Sequence, residues 1–143
     1  MKISTFNIQN DYGKYDKSKS KQIYNYLKSN KIDMIIPQLY YGFNNTSKPY
    51  IKTLGEWSNI NENNLDLYVA LSLYKSGNID KWAGQGQNEW LENDDIIKKQ
   101  VLVARNENNY KGFYIFRYDN LFNNISNEKL NGEVDNLKSI IDR

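Results

Sequence analysis

Four times along this chain a short strand-like run gives way to polar and aromatic residues, and a stretch of helical period follows. The clearest case is Ile32-Asp33-Met34-Ile35-Ile36-Pro37-Gln38-Leu39-Tyr40-Tyr41-Gly42. Met34 to Ile36 is long enough for a strand and too short for a helix. No polar residue interrupts it, so both of its faces are expected to be buried, as in a parallel sheet. Gln38, Tyr40 and Tyr41 then bring one amide and two phenols, and Gly42 ends the strand. In α/β folds ligands bind beyond the carboxyl ends of parallel strands, so this strand end marks a candidate site. Further strands are expected at Lys2–Ile8, Leu65–Tyr74 and Gly112–Phe116, each followed by polar residues.

Helical spacing fills the intervals. Asp16 or Ser18 can cap a helix over Lys19–Ser29, with Ile23, Tyr26 and Leu27 on one face. Ser47-Lys48-Pro49 starts a second, whose inward face is either Tyr50, Leu54 and Trp57 or Ile51, Leu54 and Ser58. Asn93 or Asp94 caps a third, with Ile97, Val101 and Ala104 inward and an end near Arg105. Ser126 or Asn127 opens the last, with Leu130, Val134, Leu137 and Ile140/Ile141 facing the core. The longest loop, Ser76–Asn93, holds Gly77, Gly84, Gly86, Trp82 and Trp90, and its length marks it as a candidate lid. The order β-α-β-α-β-α-β-α predicts an α/β fold of four βα units with a parallel sheet, in one domain spanning 1–143.

Composition removes whole classes of chemistry. The 143 residues include no Cys and no His, which excludes disulfides, thiolate metal sites, the Ser-His triad and most zinc sites. Any catalysis must use carboxylates, Lys, Tyr or Arg. No metal site and no cofactor is called for. A net charge of +2 is no electrostatic footprint for nucleic acid. No apolar stretch approaches the ~18 residues that a membrane span needs. Met1-Lys2 runs straight into a strand-like segment, with no signal-peptide core.

The run Ile32 to Tyr41 resembles the "D-y-i-x-P-Q-i-Y" signature of the glycosyl hydrolase-like family 10 proteins, TIM-barrel proteins of bacterial envelopes. Three further stretches agree in order. Lys2–Asn10 resembles the family's "g-i-S-P-F-G-i-w" through Ser4, Phe6 and Ile8, and Leu67–Gly77 resembles "l-Y-i-g-l-a-a-Y-K-i-G" through Tyr68, Tyr74, Lys75 and Gly77. Gln100–Arg105 with Gly112–Leu121 is similar to "Q-i-x-x-a-R … G-x-x-f-F-s-y-s-x-L". The resemblance covers about residues 2–122, with Thr5 where the family has Pro and Gln9 where Trp is common.

A whole TIM (β/α)8 barrel takes roughly 250 residues. The resemblance therefore implies that these four units are the C-terminal half of a barrel, part of a larger one. It implies a glycoside hydrolase-like domain that acts on or binds a poly- or oligosaccharide at the strand ends. The main catalytic carboxylate would then lie outside this chain, so enzymatic activity depends on completion of the barrel. The implied partners are carbohydrate and either an N-terminal half-barrel or a second copy of the chain. For the full-length parent the resemblance implies the cell envelope or secretion.

Strand-end position selects the candidate substrate-binding residues: Asn10, Gln38, Tyr40, Tyr41, Tyr74, Lys75, Trp82, Arg117 and Tyr118. Gln38 can also be read as a tie between strands, and Trp82 as the anchor of its loop. Asp33 and Asp66 stand at strand starts and read as structural. Asp11 and Asp119 lie just beyond strand ends, where a capping role competes with an acid–base one. A non-catalytic carbohydrate-binding remnant of such a barrel is an open alternative. So is a metal-dependent endonuclease/exonuclease/phosphatase fragment, suggested by Thr5-Phe6-Asn7, Asp33 and Gln38; Leu39 occupies the place of its metal-binding Glu. A doubly wound nucleotide-binding module would need a glycine-rich phosphate loop, and none follows a strand.

Overall fold

The computed structural model describes residues 17–30, 32–60, 65–122 and 126–141. The strand expected over Lys2–Ile8 and the candidate residue Asn10 lie outside them, as do Asp11 and Asp16. The elements run α1 (Lys17–Ser29), β1 (Met34–Ile35), α2 (Tyr50–Ile60), β2 (Asp66–Ser72), α3 (Glu89–Glu92), α4 (Ile96–Ala104), β3 (Tyr110–Phe116), α5 (Tyr118–Phe122) and α6 (Glu128–Ile141). The three strands form one sheet in the order β1-β2-β3, with both pairings parallel. The class is thus α/β with a parallel sheet in sequential order. Right-handed crossovers between sequential parallel strands place every connecting helix on one face.

The sheet alternation shows which face that is. Ile35 and Leu39 from the first strand segment, Leu67, Val69 and Leu71 from β2, and Phe113 and Ile115 from β3 all join one core with α1, α2, α4 and α6. The helices contribute Ile23, Leu27, Tyr50, Leu54, Ile97, Val101, Leu130 and Leu137. Two expected inward residues point out instead. Tyr26 and Ile51 are exposed, so α1 buries the narrower Ile23/Leu27 pair and α2 the Tyr50/Leu54 stripe. No helix of the described residues is long and apolar enough to cross a membrane.

β1 is shorter than the sequence pattern suggests, and Pro37 is the reason. Leu39 N–H donates to Ala70 O at 2.9 Å, and Ala70 N–H donates to Pro37 O at 2.9 Å. Two residues before Leu39, the next inter-strand donor would be Pro37, which has no N–H. The ladder breaks there and resumes as a single bridge between Gln38 and Ala70. β3 begins two residues earlier than expected, at Tyr110, and carries an irregularity where Leu67 pairs with Tyr110 but Tyr68 pairs with Gly112.

The Ser76–Asn93 segment, read as a candidate lid, folds into short turns and helices. It is pinned by Gly77 N–H to Trp90 O at 2.8 Å, Asp80 N–H to Gln87 O at 2.8 Å and Thr46 N–H to Ala83 O at 3.0 Å. Trp90 is fully buried and anchors it. The α4 cap also differs from expectation: neither Asn93 nor Asp94 caps it. Glu133 of α6 accepts from Ile96 N–H at 2.8 Å and Ile97 N–H at 2.9 Å. Asn127 does cap α6, its Oδ1 accepting from Leu130 N–H at 3.1 Å.

Candidate functional site

The second sheet face carries no core helix residues, and its side chains follow from the same registers. Extending the β1–β2 register through the Gln38 bridge puts Ile36, Gln38 and Tyr40 beside Tyr68, Ala70 and Ser72, and these beside Gly112, Tyr114 and Phe116. Ile36, Tyr114 and Phe116 are 41%, 50% and 48% exposed, a large apolar display for a parallel sheet. Tyr114 and Phe116 therefore belong to this face. Ile35, Val69 and Leu71 belong to the helix side. Gly112 makes room here, because a Cβ would sit 3.3 Å from the Tyr68 ring. That ring meets Tyr114 edge-on, centroids 5.7 Å apart.

At the carboxyl end of this face three rings gather. Tyr40 stacks on Phe116 with centroids 5.7 Å apart and planes at 26°. Tyr74 stands edge-on to both, 6.2 Å from Tyr40 and 5.8 Å from Phe116. Burial raises the Tyr40 phenol pKa, and the neighbouring Tyr74 adds to the rise. Burial does the same to Tyr74, with Asp80 and Tyr41 reinforcing it. Both phenols are therefore neutral hydrogen-bonding groups at any ordinary pH, not bases. Beneath the rings Ser72 Oγ is buried with no hydrogen-bond partner.

The other sequence-selected residues divide. Gln38 shares the open face, exposed one row below Tyr40. Lys75 lies behind the rings and is committed internally: its Nζ donates to Tyr40 O at 2.7 Å and to Asp80 Oδ2 at 2.6 Å. Tyr41 stacks on none of the three rings, although it adds to the rise in the Tyr74 pKa; Lys48 Nζ lies 5.2 Å from its ring centroid and its carbonyl accepts from Gln100 Nε2 at 2.7 Å. Arg117 and Tyr118 follow β3, past a cis peptide bond between Phe116 and Arg117. Arg117 faces Asp119 at 3.8 Å, both largely in solvent, and Tyr118 packs on Phe122 at 4.6 Å. Trp82 is 90% exposed at the tip of a turn held by the buried Asp80, so it anchors nothing.

Two site residues escaped the sequence reading. Phe116 was assigned only to the sheet, because the polar residues begin at Arg117; its even spacing from Tyr114 was the available signal. Asp80 sits in a glycine-flanked segment with no periodicity, and nothing local announces that it meets Lys75.

Retaining or inverting glycoside cleavage takes two carboxyl groups roughly 5–9.5 Å apart. Near the rings Asp80 is bound to Lys75; Glu89, in a groove against α4, is bound to Phe43 N–H and Asn44 N–H, each at 2.9 Å. The carboxyl groups that burial pushes up are Glu133 and Glu56, both on helices. Among the described residues no three acidic side chains gather as a metal site. A groove of about 420 Å³ between Phe43, Glu89 and α4 lies on the helix side and shares no residue with the rings. Scanned against protein-family models, the sequence matches none, and no curated protein matches it significantly.

Proposed function

We propose that this chain is the carbohydrate-binding half of a glycoside hydrolase-like TIM barrel, with the glycan held at the carboxyl rim of its sheet. What carries the proposal is the Tyr40–Tyr74–Phe116 cluster, three mutually contacting rings on an uncovered face at the ends of adjacent parallel strands. Aromatic faces stack on the apolar C–H faces of pyranose rings, and neutral phenols and the Gln38 amide exchange hydrogen bonds with hydroxyls. Sequential parallel order, helices on one side and an aromatic inner face support the half-barrel architecture, as does the motif resemblance over Ile32–Tyr41. The uncovered face then belongs against an N-terminal half-barrel or a second copy.

The binding role is favoured over autonomous hydrolysis by one observation: among the described residues the Asp80 carboxylate is already engaged by Lys75, and Asp119 faces Arg117 in solvent. A general acid must be within hydrogen-bond reach of the leaving oxygen. We therefore expect the purified chain to bind soluble polysaccharides in affinity electrophoresis while hydrolysing them negligibly. Phe116→Ala and Tyr40→Ala should each weaken binding roughly tenfold or more, as truncated aromatic anchors do. Leu102→Ala, on exposed α4, should not. Equal binding by all four proteins would refute the rim as the site.

A further inference from the structure

We infer, on the carbohydrate reading above, that the rim selects neutral glycans, and that Asp80 makes it so by cancelling the charge of Lys75. An anionic sugar, carrying a uronate, sulfate or phosphate, is held by cations whose donors are free and partly desolvated. Lys75 bonds the backbone of Tyr40 and follows Tyr74 directly, and its ammonium is engaged twice. It donates 2.6 Å to Asp80 Oδ2 and 2.7 Å to Tyr40 O, with only 17% of its side chain exposed and 5% of that of Asp80. Arg117 faces its own carboxylate in Asp119. Lys48 is engaged over the Tyr41 ring, 5.2 Å from its centroid. Lys81 is exposed on the Trp82 turn, where physiological salt screens it beyond roughly 8 Å.

Among the described residues, what the open face presents is therefore uncharged: three rings, two of them protonated phenols, and an amide. The same ion pair has a second consequence. Asp80 also receives Trp82 N–H at 3.4 Å, so Lys75 and Asp80 tie the Trp82 turn to the Tyr40 strand. Asp80 is thus a positioning residue as well as a counter-charge. On this reading Lys75 orders the rim through Tyr40 O and Asp80 instead of contacting substrate directly.

Matched polymers that differ only in charge provide the test: hydroxyethyl cellulose against carboxymethyl cellulose, and dextran against dextran sulfate, each by affinity electrophoresis and calorimetry at low and high salt. We expect a neutral member to bind at least as tightly as its anionic partner, with an affinity that salt does not change. In Asp80→Asn, which nearly preserves shape, the freed Lys75 should raise affinity for the anionic member several-fold at low salt, and high salt should abolish the gain. Wild-type preference for the anionic members, weakening with salt, would overturn the selectivity and leave the carbohydrate reading standing. Binding of none of the four polymers would overturn both. The wild-type arm decides the matter even if Asp80→Asn fails to fold.

Discussion

Glu133 caps a helix it does not belong to. Its two carboxylate oxygens take the first free N–H groups of α4, in a site with no solvent exposure. Burial pushes its pKa from the ordinary 4.5 up to about 7; the Ile97 and Ile96 N–H bonds oppose the rise, and Asp95 and Asp94 add to it. Between those values the folded chain keeps a proton that the unfolded chain has released. Stability should therefore fall as pH rises from about 4.5 to about 7 and level off above, by up to roughly 3 kcal/mol from this residue. Urea denaturation at pH 5 and pH 8 measures it. Glu133→Gln should lower stability at acid pH, by losing one accepted N–H bond, and flatten the profile. Parallel profiles for the two proteins would show that Glu133 does not titrate in this window.

Two glycines separate what an element needs from what it tolerates. Gly55 lies inside α2, and a Cβ there would meet nothing within 4 Å. Alanine restricts the unfolded chain and favours the helix, so Gly55→Ala should stabilise by about 0.5–1 kcal/mol. Gly42 follows the first strand segment, where a Cβ would collide with the Glu89 carboxylate. That carboxylate cannot step aside without releasing Phe43 N–H and Asn44 N–H. Gly42→Ala should destabilise by about 1–3 kcal/mol. Thermal melts of the two single variants should move in opposite directions; a shared direction would refute the close approach at Gly42. Their opposite signs come from packing: open space at Gly55 and the Glu89 carboxylate at Gly42.

At the scale of the molecule, the described helices cover one side of the sheet, and none of the described helices' core residues lies on the other. Ile36 and Tyr114 stand in solvent on a surface that parallel sheets ordinarily bury. Exposed apolar patches of this kind drive association. Sedimentation velocity should show a weight-average mass that rises with protein concentration, and Ile36→Lys with Tyr114→Lys should suppress the rise. A wild-type monomer independent of concentration would show that the face needs no cover, and the half-barrel proposal would lose its main physical support.

The local periods were legible in the sequence. Apolar residues at helical spacing marked α1, α2, α4 and α6 to within a few residues of their ends, and β-branched and aromatic runs marked β2 and β3. Their alternation was enough to fix a sequential parallel order, because the crossover rule leaves few other arrangements. The missing composition of His and Cys bounded the chemistry before any fold was known. Tertiary structure decided which members of each pattern met. Tyr40 and Tyr41 are neighbours in sequence, yet Tyr40 stacks on Phe116 while the Tyr41 ring lies under the Lys48 ammonium. Two tryptophans in one segment part in the same way, Trp90 into the core and Trp82 into solvent. Lys75 reads as a rim cation until Asp80 folds back on it, and α4 reads as capped by its own flank until Glu133 reaches it from α6. Helical and strand periods arise from backbone geometry within a few residues. The pairing of a charge, the choice of a cap and the burial of a ring depend on what the folded chain brings alongside.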